Sequence, residues 1–350
     1  MRLIDIRRTV SATVATGLLL AVAACGGSTE EPAASSTSGA PTANAFPVSI
    51  DNKYGTTTVP AEPRRIVVVG LVEQDALLSL GVVPVATTEW FGEKPGAIWP
   101  WAEAALGSNP KPQVLTSTDG VQVEKVAALR PDLIIGMYSA LTKAEYDTLS
   151  KLAPVIAQPK GQVDYGVSWQ DVTRTVGKAV GRSDQAEKVV AGVQGRIDAV
   201  KAANPEFQGA TGLMAMTYEG YYVYGPQDPR GRFLTDLGFK LPAGLAEVTG
   251  KEFGANLSKE RTDMLDTDVL IWLVDKYDTD KAKVQADPLY AKLKVKTEGR
   301  DIYLENEELT GGATSFITPL SLPFLLEKLT PLLKAAVDGN PATAVERPAP

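Results

Sequence analysis

Histidine is absent from the chain, and cysteine occurs once, at Cys25. Without imidazole the sequence lacks the usual general base, the Ser-His and Cys-His pairs, and the commonest nitrogen ligand for zinc, copper or haem iron. A lone cysteine excludes an internal disulfide. There is no run of Lys or Arg to suggest a polyanion partner, and a formal charge of −7 argues against a nucleic-acid surface. No G-x-S-x-G, P-loop or G-x-G-x-x-G follows an apolar run, so neither a nucleophile elbow nor a phosphate cradle is indicated. A glycosidase-like pair of acids stays open among 42 Asp and Glu, and nothing marks one such pair.

What is present begins with an export signal. Arg2, Arg7 and Arg8 precede the apolar stretch VSATVATGLLLAVAA, which ends at Cys25-Gly26-Gly27. VAAC resembles the lipobox of bacterial lipoproteins, in which cleavage falls just before a cysteine that then carries a diacylglycerol. An ordinary cleaved signal or an N-terminal membrane helix are the alternatives; the lipobox is preferred because the only cysteine sits where that chemistry needs it. The stretch GGSTEEPAASSTSGAPTANA, to Ala45, is small and polar without apolar periodicity and reads as a tether. Lipid and spacer together would hold a folded body at the outer face of a membrane.

The remaining length suits two cores at about 100–200 residues per domain. FPVSIDNKYGTTTVPAEPRR alternates like a hairpin. IVVVG from Ile66, a helix in EQDALLSLG stopped by Gly81, and VVPVATT then give strand, helix, strand. An irregular stretch separates these from a short helix at Glu124–Leu129 and a strand at Leu133–Gly136, which together indicate a parallel α/β lobe. Ser183 is placed as a helix cap, and Ala186, Val189, Val190, Val193, Ile197 and Val200 follow at helical spacing. About 20 residues at 1.5 Å each give roughly 30 Å, enough to join two lobes, although a surface helix of one lobe has the same pattern.

Two phrases recur in the same order. ALLSLGVVPV from Ala76 matches FLTDLGFKLP from Phe233, and VEKVAALRPDLIIGMY from Val123 matches KERTDMLDTDVLIWLV from Lys259. In the second pair Glu124 and Glu260 stand the same nine residues before the apolar run. The echoes imply a duplicated architecture with one acid presented by each half. The chain closes with a Gly-rich loop at Gly311 and Gly312 and an apolar helix near Leu320–Ala336.

Aromatics gather where strands end. Trp90 and Tyr138 follow strands, Trp169 precedes a helix, and Tyr218, Tyr221, Tyr222 and Tyr224 come just before Arg230 and Arg232. Ligands of parallel α/β sheets sit at strand carboxyl ends, which makes these the positions to inspect. Core packing is the competing account of any one aromatic, and it is the account taken for Trp99 and Trp101.

Taken in order, the lipobox, DNKYGTTTVPAEPRRIVVVG, ALLSLGVVPVA, VEKVAALRPDLII, the mid-chain helix and YVYGPQDPRGRFLTDLGF resemble the iron-siderophore substrate-binding lipoproteins of ABC importers. The likeness runs from about Asn52 to Leu333. It implies an α/β fold of class III periplasmic-binding-protein type, two Rossmann-like lobes joined by one long helix. Its divisions would be a signal peptide 1–24, lipidated Cys25 and linker 25–45, a first lobe 46–182, a bridging helix 183–204 and a second lobe 205–350. It further implies a cell-membrane receptor, lipid-anchored on the extracytoplasmic face, that passes a ferric siderophore to an ABC permease. Glu124 and Glu260 match the family's permease-docking acids. Their other reading is stabilisation of their own helix N-termini.

No catalytic residue, protein metal ligand or cofactor is expected, since a siderophore brings its iron already wrapped in oxygen. Trp90, Tyr138, Tyr218, Tyr222, Arg230 and Arg232 are the expected ligand contacts, with surface charge at a helix start as the rival reading of the two arginines. Few converging cations favour a hydroxamate or mixed-type chelate over a tris-catecholate, and Lys276 is the doubtful addition. The alternatives are a haem or corrinoid binder of the same fold and an exported α/β hydrolase using paired carboxylates.

Overall fold

Short strands in each half of the chain assemble two separate five-stranded sheets. The computed structural model describes residues 46–118, 120–218 and 220–348; the expected signal segment, Cys25 and the tether lie outside the described residues. An antiparallel hairpin, β1 (Val48–Asn52) and β2 (Gly55–Val59), leads in as expected. The first sheet contains β3 (Ile66–Val68), β4 (Ala86–Thr88), β5 (Gln113–Leu115), β6 (Leu133–Gly136) and β7 (Val155–Ala157). Its order is β5-β4-β3-β6-β7 with every neighbour parallel. Around it lie α1 (Glu73–Ser79), α2 (Pro100–Leu106), α3 (Val123–Ala128), α4 (Lys143–Leu149) and α5 (Trp169–Ala179).

After α6 (Ser183–Ala203) the second sheet repeats that order as β10-β9-β8-β11-β12. Its strands are β8 (Gly212–Thr217), β9 (Tyr221–Tyr224), β10 (Gly254–Leu257), β11 (Val269–Val274) and β12 (Asp301–Glu305). Here β9 folds back antiparallel on β8, so the second half replaces one crossover with a hairpin. The helices of this half are α7 (Pro229–Asp236), α8 (Leu245–Thr249), α9 (Tyr277–Ala286), α10 (Lys294–Thr297), α11 (Leu309–Ser315) and α12 (Ser321–Val337).

Both sheets are covered on two faces, which is why their central strands are apolar throughout. Ile66 and Val68 join one core while Val67 and Val69 join the opposite one. Val269, Ile271 and Leu273 likewise separate from Leu270, Trp272 and Val274. That is the two-residue period of a pleated strand. Helix α6 connects the halves through its packing. Ala186 and Val189 near its start belong with the first-lobe core, whereas Val190, Val193 and Ile197 pack with Phe207 and Leu322 of the second.

The Leu-Gly echo is real at the level of hydrogen bonds. Gly81 and Val82 donate their N–H groups to Leu78 and Leu77 carbonyls at 2.9 Å, and Gly238 and Phe239 donate to Thr235 and Leu234 at 3.0 and 3.1 Å. Each glycine has positive φ, 70° and 107°, as this helix-ending motif demands. The chain then returns beside the first strand in both copies, through Val85 N–H to Ile66 and Lys240 N–H to Ala210, each at 2.8 Å. The other echo diverges: Val123–Ala128 is α-helical, but Lys259–Leu265 is a 3₁₀ helix interrupted at Arg261.

Several expectations need correction. Ser183 is the first helical residue and caps nothing; the residue before the helix is Arg182, with no side-chain cap. Its N–H instead donates to Gly177 O at 2.6 Å and turns α5 straight into α6. Gly311 and Gly312 lie inside α11, not in a loop. A Cβ on Gly311 would come within 2.0 Å of Glu305 O, and one on Gly312 within 2.5 Å of the Trp99 ring, so close packing is what requires them. The irregular stretch before Glu124 holds α2 and β5; α2 opens with Pro100 in its first turn, after Trp99.

Candidate ligand-binding site

Five loops of the first lobe and six segments of the second meet around a cavity of about 680 Å³. Leu71, Trp90, Phe91, Ser117, Tyr138 and Tyr165 line it from one side, and Met216, Tyr218, Tyr222, Tyr224, Asp228, Arg230, Phe253, Asp275, Lys276, Asn306, Glu307 and Ser315 from the other. Its walls form a closed circuit of contacts. Trp90 to Tyr138 is 5.9 Å between ring centroids, Tyr138 to Tyr165 5.7 Å, and Tyr165 to Phe253 5.8 Å across the lobes. Phe253 to Tyr222 is 6.1 Å and Tyr222 to Tyr224 5.5 Å. The Arg230 guanidinium closes the circuit, 4.2 Å from the Tyr224 ring and 5.7 Å from Trp90. Tyr165 holds φ of 58°, a left-handed backbone uncommon for a bulky side chain and typical of ligand-facing turns.

Arg230 is set by its helix start. Asp228 accepts the Arg230 N–H at 2.7 Å as the cap of α7, and the same carboxylate accepts from Nη1 at 3.0 and 3.1 Å. Nη2 donates to Ser315 Oγ at 3.0 Å. The pair is buried, so each charge depends on the other for solvation. Burial works against the charge on Arg230 and is outweighed by the Asp228 carboxylate, which leaves its pKa above the ordinary value. Burial, with the Asp228 charge added, also lifts the Tyr138 phenol well above its usual pKa. Burial pushes Tyr222 up to about 12. Both phenols therefore remain protonated in any physiological medium and can donate hydrogen bonds to anionic or carbonyl-type oxygens.

Of the six expected contacts, Trp90, Tyr138, Tyr218, Tyr222 and Arg230 line this cavity and Arg232 does not. Arg232 is turned away, donating to Gln227 O and, at 2.8 Å, to Gly166 O, which ties the second lobe to the first. Residues two apart on a helix point to opposite sides, so Arg230 and Arg232 could not both face one cavity. Lys276 does reach it, with Nζ 3.7 Å from Glu305 Oε1. Trp169 belongs to the second-lobe core. Trp99 and Trp101 stack at 4.8 Å away from the cavity lining, and Trp101 donates to Asp75 at 2.9 Å. Sequence reading marked Tyr224 for inspection without choosing it as a contact, and missed Phe91, Tyr165, Phe253 and the acids Asp228, Asp275 and Glu307.

Glu124 lies exposed in the first turn of α3, and Glu260 lies exposed in the 3₁₀ helix Lys259–Leu265. Among the described residues no group of three or more His, Cys, Asp or Glu is arranged to hold a metal ion, and no helix is long and apolar enough to cross a membrane.

Two sheets of shared strand order, a helix embedded in both cores and an aromatic cavity between them define a two-lobed α/β binding protein. Residues 67–307 match the Periplasmic binding protein family, and the chain belongs to it. A periplasmic solute-binding protein from Mycobacterium smegmatis has 34% identity and a TM-score of 0.74, covering 83% of this chain and 99% of that one. The iron-uptake protein PiaA of Streptococcus pneumoniae, solved in complex with ferrichrome, has 27% identity and a TM-score of 0.74 over 83% of this chain and 99% of its own. YhfQ of Bacillus subtilis, whose name describes an ABC transporter substrate-binding lipoprotein, is 26% identical over 291 residues, 78% of this chain and 85% of YhfQ. The family is one of binding proteins, not of enzymes.

Proposed function

We propose that the chain is an extracytoplasmic, lipid-anchored receptor that binds a ferric siderophore in this cavity and delivers it to an ABC permease, with no catalytic step of its own. The observation that carries the reading is the cavity's composition: aromatic walls, neutral phenol donors and an arginine whose charge is already balanced by Asp228. Such a surface suits a bulky chelate whose iron needs no protein ligand. PiaA, bound to ferrichrome, supports the ligand class, and the name of YhfQ supports both permease and anchor.

Hydroxamate or mixed-type chelates fit better than tris-catecholates. The charged lining among the described residues is Asp228, Arg230, Asp275, Lys276 and Glu307, which does not concentrate positive charge. A strongly anionic complex would find little to neutralise it there. The exposed Glu124 and Glu260 are the proposed contacts for the permease.

Titrating tryptophan fluorescence with ferric hydroxamates, ferric catecholates, ferric citrate, haem and cobalamin tests the reading. Saturation at one chelate per protein is expected, tightest for a hydroxamate or mixed ligand. Tighter catecholate binding overturns the preference, and no saturation with any of the panel overturns the function.

A further inference from the structure

The two ends of the cavity offer opposite chemistry. Deep inside, Arg230 is only 4% exposed, and its Nε has no hydrogen-bond partner among the described residues. That end presents a cation already paired with the buried Asp228 carboxylate at 3.0 Å. At the second-lobe rim stand the carboxylates of Asp275 and Glu307, on the loops that follow β11 and β12. Both are exposed. Asp275 accepts from the neutral amide of Asn306 at 3.3 Å, and among the described residues neither acid forms an ion pair.

The nearby cations, Lys276 of the cavity lining included, lie closest to other carboxylates. Lys276 Nζ faces Glu305, 3.7 Å away. Arg347 binds Glu308 at 2.6 Å and Glu305 at 3.3 Å, and covers the Tyr277 ring at 4.2 Å. Tyr218, 55% exposed, adds an open aromatic face to the same mouth. Carboxylates beside aromatic faces recognise an organic cation by charge and by the ring quadrupole together.

Resting on the siderophore reading above, we infer that the transported chelate carries a pendant cation outside its iron core, an ammonium or guanidinium group, recognised by Asp275 and Glu307. The core of a ferric trihydroxamate is neutral, because three singly charged hydroxamates balance the iron. It gains nothing from rim carboxylates, and an anionic core is repelled by them. A cationic tail turns the same carboxylates into a selection device, since specificity is a difference of affinities.

Three linear ferric trihydroxamates with one shared iron core separate the possibilities: one ending in a free primary amine, its N-acetyl derivative and its N-succinyl derivative. With the mature protein at low ionic strength, the amine form is expected to bind about tenfold tighter than the acetyl form, and the succinyl form weakest of all. High salt should compress that spread, because exposed charges are screened. The double variant Asp275→Asn, Glu307→Gln should bring the amine-to-acetyl ratio to within about twofold. Equal binding of all three by the parent protein, or an unchanged ratio in the double variant, overturns this inference and leaves the siderophore reading standing. Failure of all three to bind overturns this inference, and the siderophore reading then stands or falls with the full chelate panel above.

Discussion

Thr318 donates its hydroxyl to Asp75 at 2.6 Å, joining α1 of the first lobe to the segment before α12 across 243 positions of chain. The same carboxylate oxygen accepts from Trp101 Nε1 at 2.9 Å, so the seam behind the cavity is held by one buried acid with two neutral donors. Burial raises the Asp75 pKa to about 6, and the bonds from Thr318 and Trp101 hold that rise back. A carboxyl with a higher pKa folded than unfolded stabilises most in acid: its contribution is complete below about pH 4 and lost as pH rises through about 6. Asp75→Asn should therefore flatten the dependence of stability on pH between 4 and 7. Urea denaturation at pH 4.5, 6 and 7.5 measures this, and an equal loss at all three values contradicts it.

The Asp228–Arg230 pair makes the second prediction. Asp228→Asn leaves a guanidinium buried with its counter-charge gone, a change expected to cost about 3–5 kcal/mol. Denaturation midpoints at constant m-value report the cost. In whatever protein stays folded, the cavity becomes more cationic, and fluorescence titration should show the catecholate-to-hydroxamate affinity ratio rising.

Two glycines are expected to respond in opposite directions. Gly312→Ala drives a methyl to within 2.5 Å of the Trp99 ring and should cost about 1–3 kcal/mol by overpacking. Gly192, exposed in the interior of α6, has nothing within 4 Å of its would-be Cβ. Gly192→Ala should stabilise by about 0.5–1 kcal/mol, because alanine restricts the unfolded chain and favours helix. Thermal denaturation of the two variants side by side checks both signs.

Charge reversal at Glu124 and Glu260 tests delivery separately from capture. Both residues are exposed and lie outside the cavity lining, so Glu124→Lys and Glu260→Lys should leave chelate affinity within about twofold. Uptake of iron by cells carrying the double variant should fall to the level of the deletion strain. Normal uptake removes the docking role, and the acids are then left with their own helix starts.

Why some of this was legible in the sequence, and some not, has physical causes. Apolar runs such as IVVVG and VLIWLV mark strands covered on both faces, and a Leu-Gly pair after a helical pattern marks a helix end whose geometry almost requires glycine. Those signals are local, and they located β3, β11 and both copies of the helix stop. Gly311 and Gly312 carry the same letters for a tertiary reason, the approach of Glu305 and Trp99, which no local pattern records. Arg232 was grouped with Arg230 by adjacency, whereas helix periodicity separates them. Strand periodicity held an unused clue: in YYVY, residues 222 and 224 share a face, and it is Tyr222 and Tyr224 that line the cavity while Tyr221 bonds Asp287 on the other side. Asp275 and Glu307 were equally accessible, since each follows a strand end by the rule that found Trp90 and Tyr138.

The central claim is that the aromatic cavity between the lobes holds a chelated iron. Iron anomalous scattering from crystals grown with a ferric trihydroxamate tests it most directly. One iron peak per molecule inside the circuit of Trp90, Tyr138, Tyr165, Tyr222 and Arg230, with no protein atom in its coordination sphere, is the result predicted. A peak outside that circuit, a protein side chain ligating the metal, or an empty cavity at saturating chelate would contradict it.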